Sequence, residues 1–422
     1  MVARIAMISE HASPLATLGG VDSGGQNVYV AQLANQLAAR GYQVDVFTRR
    51  DQETLPDVVK FISRVRVVHV KAGPPVPIPK EQLLPYMPEF ARQMSLYCRR
   101  QRMPYDVVHA NFWTSGVVAM ALKAELDLPF VITFHALGRV RRLHQGEADH
   151  FPDERPEIEE RIIAAADCVI AECAQDRADL LNLYGADPAR IRIVPCGFDS
   201  AELWPVEKCV ARRVLGFAPG ERIVASIGRL VPRKGIDVAI RALGRLWREH
   251  GVDARLVVVG GESELPCPTA TPEIARLHRI AAEEGVDDRV TFTGSCRRQL
   301  LRYYYSAADV FVTTPWYEPF GITPVEAMAC GTPVIGTSVG GIKTTIRHGR
   351  TGFLIPPHSA DALAARLAEL LGAPELRRAL GDAGRERANR HFTWAQVADR
   401  VASLYAHVIA AGAEQRAGNA NA

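Results

Sequence analysis

The stretch RIVASIGRLVPRKGIDVAIRALGRLWREH occupies residues 222–250. Its opening run, RIVASIG (222–228), is apolar, short and closed by Gly228, which reads as a buried strand. A turn carrying Pro232 and Gly235 follows, and the longer segment after it predicts a helix over 234–249. Strand, turn and helix in that order make half of a βαβ unit. Repeated, they build a parallel sheet with helices on its faces.

The alternation extends both ways. Downstream, RLVVVG (255–260), RVTFTG (289–294), DVFVTT (309–314) and PVIGT (333–337) predict further strands, with a helix over 273–284 among the separating segments. Upstream, an earlier series holds RIAMIS (4–9), QVDVFT (43–48), DVVHA (106–110), FVITFH (130–135), CVIAE (168–172) and IRIVP (191–195). Two α/β series in 422 residues fit two domains, since compact domains run about 100–200 residues. The join falls near CGFDSAELWP (196–205), giving domains over 1–197 and 198–393, a helix over 394–410 and a polar tail, 411–422, that should fray. Open parallel sheets bind ligands outside the carboxyl ends of their strands.

Composition narrows the function. Net charge is +3 with 23% charged residues, which is not the basic stripe of a nucleic-acid binder. The eight cysteines include no Cys-x-x-Cys pair, so they read as reduced, buried thiols of a cytoplasmic protein rather than zinc or redox ligands. The amino-terminal apolar run is too short for a signal peptide, and no stretch has the length of a membrane span.

Three segments carry chemistry. LGGVDSGGQNVYV (18–30) puts Gly24 and Gly25 at a helix start. This is either a plain strand-to-helix turn or a place where backbone N–H groups meet a phosphate. Neither G-x-G-x-x-G nor a P-loop lysine is present. GRLVPRKGID (228–237) places Arg229 and Lys234 after a strand, as a solvated basic loop or as a fork and a point charge on a diphosphate. WYEPFGITPVEAMACGTPVI (316–335) sets Glu318 before a turn and Glu326 in the helix entered near Pro324. Such acids either cap a helix or hold a sugar and a ribose.

EPFGITPVE (318–326) resembles the E-x7-E motif of retaining GT-B glycosyltransferases of family 4, which includes sucrose-phosphate synthase and the inositol-phosphate N-acetylglucosaminyltransferase of mycothiol synthesis. GGVDSGGQNVYV resembles the family's glycine loop, GRLVPRKG its Arg-x4-Lys donor motif, FHALG (134–138) its histidine segment and PCGFD (195–199) its interdomain crossing. The resemblance implies two Rossmann-like domains whose parallel sheets face across a cleft, with the 394–410 helix packing back on the first. It implies a donor site of Arg229, Lys234, Glu326 and Glu318 with the amides of Gly321, Ile322 and Thr323. Gly24 and Gly25 would add N–H groups, and Arg297 would lie near the base. His135 would contact the sugar, so that His135, Arg229, Lys234 and Glu318 carry catalysis. No D-x-D motif is present, and the family implies no metal and no other cofactor.

The implied reaction moves a hexose, with UDP-glucose as donor, to a small phosphorylated sugar or polyol. Asn27, Lys80 and Arg155 match acceptor-binding positions. Phe112 and Ala136 stand where the inositol-phosphate enzymes carry Tyr and Thr, and Arg139, Arg141 and Arg142 offer further charge. One alternative is a lipid-linked or polymeric acceptor, with 89–103 as a basic membrane-facing helix; membrane contact is the less favoured reading. Another is a nucleotide-sugar epimerase or a non-catalytic sensor. The sequence is silent on oligomeric state.

Overall fold

The structure, a computed structural model, describes residues 3–15 and 25–420, with side chains to residue 414. The chain forms two compact units. The first takes in the described residues to Pro195 together with the chain from Ala395 on, and the second runs from Cys196 to Trp394.

The first unit holds β1 (Arg4–Ile8), β2 (Gln43–Arg49), β3 (Val58–Ile62), β4 (Val65–Val70), β5 (Val107–Asn111), β6 (Phe130–Thr133), β7 (Cys168–Ala171) and β8 (Ile191–Ile193). They lie in the order β3-β4-β2-β1-β5-β6-β7-β8. Every pair is parallel except β3 with β4. The β3–β4 hairpin is absent from the sequence reading. Its turn, Ser63–Arg64, carries neither Gly nor Asn, and Arg64 takes φ 64° itself. Local turn chemistry therefore gave no signal.

The last helix, Trp394–Ala420, extends into the tail that the sequence predicts to fray. That tail is rich in alanine, which costs a helix least. Val397, Val401, Tyr405 and Val408 recur at helical spacing and are buried. Tyr405 Oη lies 2.6 Å from His109 Nδ1 on β5, and Arg40 pairs with Asp399 at 2.7 Å.

The second unit holds β9 (Ile223–Ile227), β10 (Arg255–Val259), β11 (Val290–Phe292), β12 (Val310–Thr313), β13 (Val334–Thr337) and β14 (Gly352–Ile355). The order is β11-β10-β9-β12-β13-β14, all parallel. Val224, Val258 and Val312 of the sheet pack with Ile240 and Leu243 of the helix Ile236–His250 and with Leu363 and Leu367 of the helix Ala360–Gly372. Burying each such side chain is worth about 1.5–3 kcal/mol. β9 has β10 on one side and β12 on the other. Where strand order reverses like this, the loops leaving the two neighbouring carboxyl ends diverge and open a crevice.

The helix Met87–Arg99, the proposed membrane-facing segment, turns Met87, Phe90, Ala91, Met94 and Cys98 inward. Its apolar face is thus spent inside the unit. Among the described residues no helix is long and apolar enough to cross a membrane. All eight cysteines are free; five are buried, Cys209 is exposed, and Cys267 and Cys296 are half-buried.

Candidate active site

The crevice of the second unit is built by the loops after β9 and β12. The first ends in a tight turn over Pro232–Lys234 and then Gly235 at φ 64°. A Cβ at Gly235 would lie 2.0 Å from the carbonyl oxygen of Thr314, so only glycine lets the two loops touch. They are then stitched together. Trp316 N–H donates to the Arg233 carbonyl at 2.9 Å, and Thr314 Oγ1 donates to the Gly235 carbonyl at 2.7 Å. Arg233 Nη1 donates to the Tyr317 carbonyl at 3.3 Å.

This lock brings Lys234 onto Glu318, Nζ to Oε2, with Arg233 Nη1 at 3.9 Å from the same oxygen. Both partners are half-buried. Burial opposes the Glu318 charge, but Lys234, Arg233 and Arg229 outweigh it and hold the carboxyl below its usual range. Burial, aided by Arg233 and Arg229, lowers the Lys234 ammonium despite Glu318. Among the described residues, three cations against this one carboxylate leave two net positive charges here.

Gly321, at φ 88°, turns the chain into the helix Ile322–Ala329, and no side chain caps that end. The N–H groups of a first turn have no partner within their own helix. The helix begins at Ile322, with Pro324 in its first turn. Glu326 is buried and accepts from Tyr305 Oη at 2.8 Å and from Arg298 Nη2 at 3.4 Å. Burial and the Glu326 charge push the Tyr305 phenol up, so it stays a donor. Arg298 also reaches Glu202, whereas Arg297 is exposed at the start of the helix Arg298–Ala307. Sequence reasoning missed Arg233, Arg298 and Tyr305. The doubled cations of PRK and RR were the available signals.

In the first unit Gly24 lies outside the described residues, and Gly25 is exposed as the first residue of the helix Gly25–Ala39. Asn27 is buried, with Nδ2 donating to the Ser13 carbonyl at 3.0 Å. His135, just past β6, takes φ 57°. Its Nδ1 lies 3.0 Å from Glu172 Oε1 and its Nε2 3.1 Å from Asn111 Oδ1, while the Tyr29 ring meets it edge-on at 4.8 Å. The Glu172 N–H donates to Asp176 Oδ2 at 2.8 Å, and burial with the Glu172 charge pushes the Asp176 carboxyl up to about 8.

Lys80 is half-buried in the short turn Lys80–Gln82. Arg155 is fully enclosed. It donates to Glu159 Oε1 at 2.7 Å and to the Ala136 carbonyl, and its guanidinium sits 5.0 Å from the Phe112 ring and 4.4 Å from Phe151. Its Nη1 is buried with no hydrogen-bond partner. Arg139, Arg141 and Arg142 are spent on Glu160, Asp149 and Asp153. Glu10, which the sequence reading passed over, is buried at the carboxyl end of β1. It accepts from Thr114, Ser115 and His11, and against the cost of burial the His11 ring and these hydroxyls hold its carboxyl low.

Known proteins match both units. The family described as Glycosyltransferase Family 4 matches residues 23–202, and Glycosyl transferases group 1 matches 208–387. A D-inositol 3-phosphate glycosyltransferase of Nocardia farcinica is 38% identical over 418 residues, covering 96% of this chain and 90% of that protein. Among solved structures, a sucrose-phosphate synthase from Thermosynechococcus elongatus is 36% identical with a TM-score of 0.88, covering 97% of this chain and 100% of that one. Anabaena HepE in complex with UDP and glucose shares the fold at 19% identity and a TM-score of 0.72, over 95% of this chain and 99% of that one.

Proposed function

The chain belongs to glycosyltransferase family 4, with two Rossmann-like units of the GT-B class, and we propose that it is a retaining, metal-independent enzyme moving glucose from UDP-glucose to a small phosphorylated sugar or polyol. The observation that carries this reading is the cation set around Glu318: Lys234 in contact, Arg233 at 3.9 Å, Arg229 contributing charge.

Breaking a glycosyl–phosphate bond leaves an oxocarbenium-like sugar and a nucleoside diphosphate that gains charge as it departs. Preorganised cations aimed at that charge are often the largest catalytic contribution. The two net positive charges would stabilise the leaving diphosphate, taking the place a divalent ion fills elsewhere. The N–H groups at Gly321, Ile322 and Thr323, with Glu318, would hold the sugar's hydroxyls. Glu326 would take the ribose hydroxyls, its Oε1 being only loosely engaged by Arg298 at 3.4 Å. The acceptor hydroxyl would attack from the face the diphosphate leaves, losing its proton to a departing phosphate oxygen. His135, fixed at both ring nitrogens, would orient the sugar.

For the acceptor, relatives named D-inositol 3-phosphate glycosyltransferase and sucrose-phosphate synthase support a phosphorylated sugar or polyol. The unpartnered Arg155 Nη1 and Lys80 would bind its phosphate. Phe112 and Ala136 lack the hydroxyls of the inositol-phosphate enzymes, which favours a hexose phosphate.

The test is an acceptor screen with UDP-glucose and GDP-mannose, following nucleotide release, with and without EDTA, and assigning the product anomer by NMR. The reading expects UDP release that depends on a phosphorylated acceptor, an α-linked product and no effect of EDTA. An inverted product, or loss of activity in EDTA, would refute the corresponding part.

A further inference from the structure

The amino-terminal edge of the first unit's sheet, opposite the edge that carries His135, holds a cavity of about 520 Å3. Arg4, Lys60, Arg64, Arg66 and Arg102 line it, and Asp45 is the one acid in its wall. Five cations against one carboxylate leave four positive charges around a space of ligand-pocket size.

Sheet register concentrates this charge. Arg66 on β4 stands opposite Asp45 on β2 and, across the hairpin, opposite Lys60 on β3. Residues directly opposite share a face. Like charges so placed repel and destabilise the pair, and here the register makes them face each other. Asp45 relieves part of this. It takes Arg66 at 2.7 and 2.6 Å, Arg4 at 3.1 Å and the Tyr105 hydroxyl at 2.5 Å. Among the described residues Lys60, Arg64 and Arg102 form no ion pair; Arg64 Nη1 donates instead to the Gly41 carbonyl at 2.8 Å. Arg64 holds φ 64° at the hairpin turn, a costly conformation for a residue with a side chain. Arg4 is buried, its side chain only 8% exposed, and its Nε has no hydrogen-bond partner.

Cations without a carboxylate partner and a concave wall together describe a site for concentrated negative charge. We propose that this cavity binds a small, multiply charged phosphorylated molecule. Arginine forks match phosphate oxygens in pairs. The charge is gathered in one concavity rather than along a stripe, and the whole chain carries only +3, so the occupant is a small anion and not a nucleic acid.

Hydrogen–deuterium exchange on the full chain with millimolar inorganic pyrophosphate tests this. Protection is expected in segments 58–66 and 99–106. The triple variant Lys60→Ser, Arg64→Gly, Arg102→Ser removes three solvent-exposed cations and should weaken pyrophosphate binding at this site at least about tenfold. The charge-keeping variant Lys60→Arg, Arg64→Lys, Arg102→Lys should retain it, and Lys234→Met should leave protection of these segments unchanged. No protection, or equal protection in the triple variant, would overturn the proposal. So would flotation on phosphatidylglycerol vesicles without any response to pyrophosphate.

Discussion

Replacing Lys234 with Met separates the structural job of this side chain from its proposed catalytic one. The ammonium sits on Glu318, and the two side chains are 21% and 15% exposed. Breaking a fully buried pair costs about 3–5 kcal/mol, and an exposed pair is worth about 0–1. This half-buried pair, with Arg233 still 3.9 Å from the carboxylate, falls between, at about 1–2 kcal/mol. For a unit of this size that lowers Tm by roughly 2–8 °C. Under the proposed role, the same change also removes a charge that meets the leaving diphosphate. Losing one such donor costs about 2.7–4 kcal/mol in the transition state, or about 10²–10³ in kcat.

The double variant Lys234→Met, Glu318→Gln isolates the stability cost. With no carboxylate left unpaired, Tm should return to near wild type, while turnover of UDP-glucose stays low. The assays are differential scanning calorimetry and steady-state nucleotide release. Two results would refute the reasoning: kcat of the single variant within about threefold of wild type, or turnover that recovers together with Tm in the double variant. The second outcome would mean that neither Lys234 nor Glu318 takes part in turnover.

Gly340→Ala should cost about 2–4 kcal/mol and raise the donor KM, because at φ 43° its Cβ would lie 1.9 Å from the Glu318 carbonyl oxygen; calorimetry and donor titration check it. His109 is fully buried between Tyr405 Oη and Thr133 Oγ1, with the Tyr29 and His135 rings nearby, and burial, then His135, lowers it from 6.5 to about 3. The unfolded chain therefore takes the proton first. Stability is full above about pH 6.5 and falls toward pH 3, by about 2 kcal/mol between pH 7 and 5, and His109→Gln should flatten that slope in urea unfolding. Phe112→Tyr with Ala136→Thr should raise kcat/KM on D-inositol 3-phosphate at least about tenfold, since a hydrogen bond to a charged group is worth about 1.5–3 kcal/mol; unchanged kcat/KM would remove the acceptor phosphate from that position.

The alternating apolar runs made both sheets legible, because a buried parallel strand announces itself by composition alone. The loops after β9 and β12 were legible for a related reason. Charges beside Pro and Gly at strand ends have no packing to do. What stayed hidden was pairing. Lys234 and Glu318 lie 84 positions apart, and only the strand order β9-β12 makes them neighbours. Glu172 was read as the last residue of an apolar strand, yet one step past β7 it turns to His135. Asn27, picked out for its amide, holds the Ser13 carbonyl. Each of these depends on which strands are adjacent, a property that local periodicity does not encode.

The way Glu318 is held bears on how the site would work. Its carbonyl accepts from the Gly341 N–H at 3.1 Å, and its loop is tied to the Arg233 carbonyl through Trp316. The main chain thus fixes the loop without help from the Lys234 ion pair. Under the proposed reading, an arriving diphosphate would draw the ammonium away from Glu318 while the backbone stays in place, freeing the carboxylate for a sugar hydroxyl at that moment. A pair that merely braced the loop would duplicate what these main-chain bonds already do. The half-buried contact with Glu318, beside two further cations, instead matches a charge held ready for transfer to a ligand.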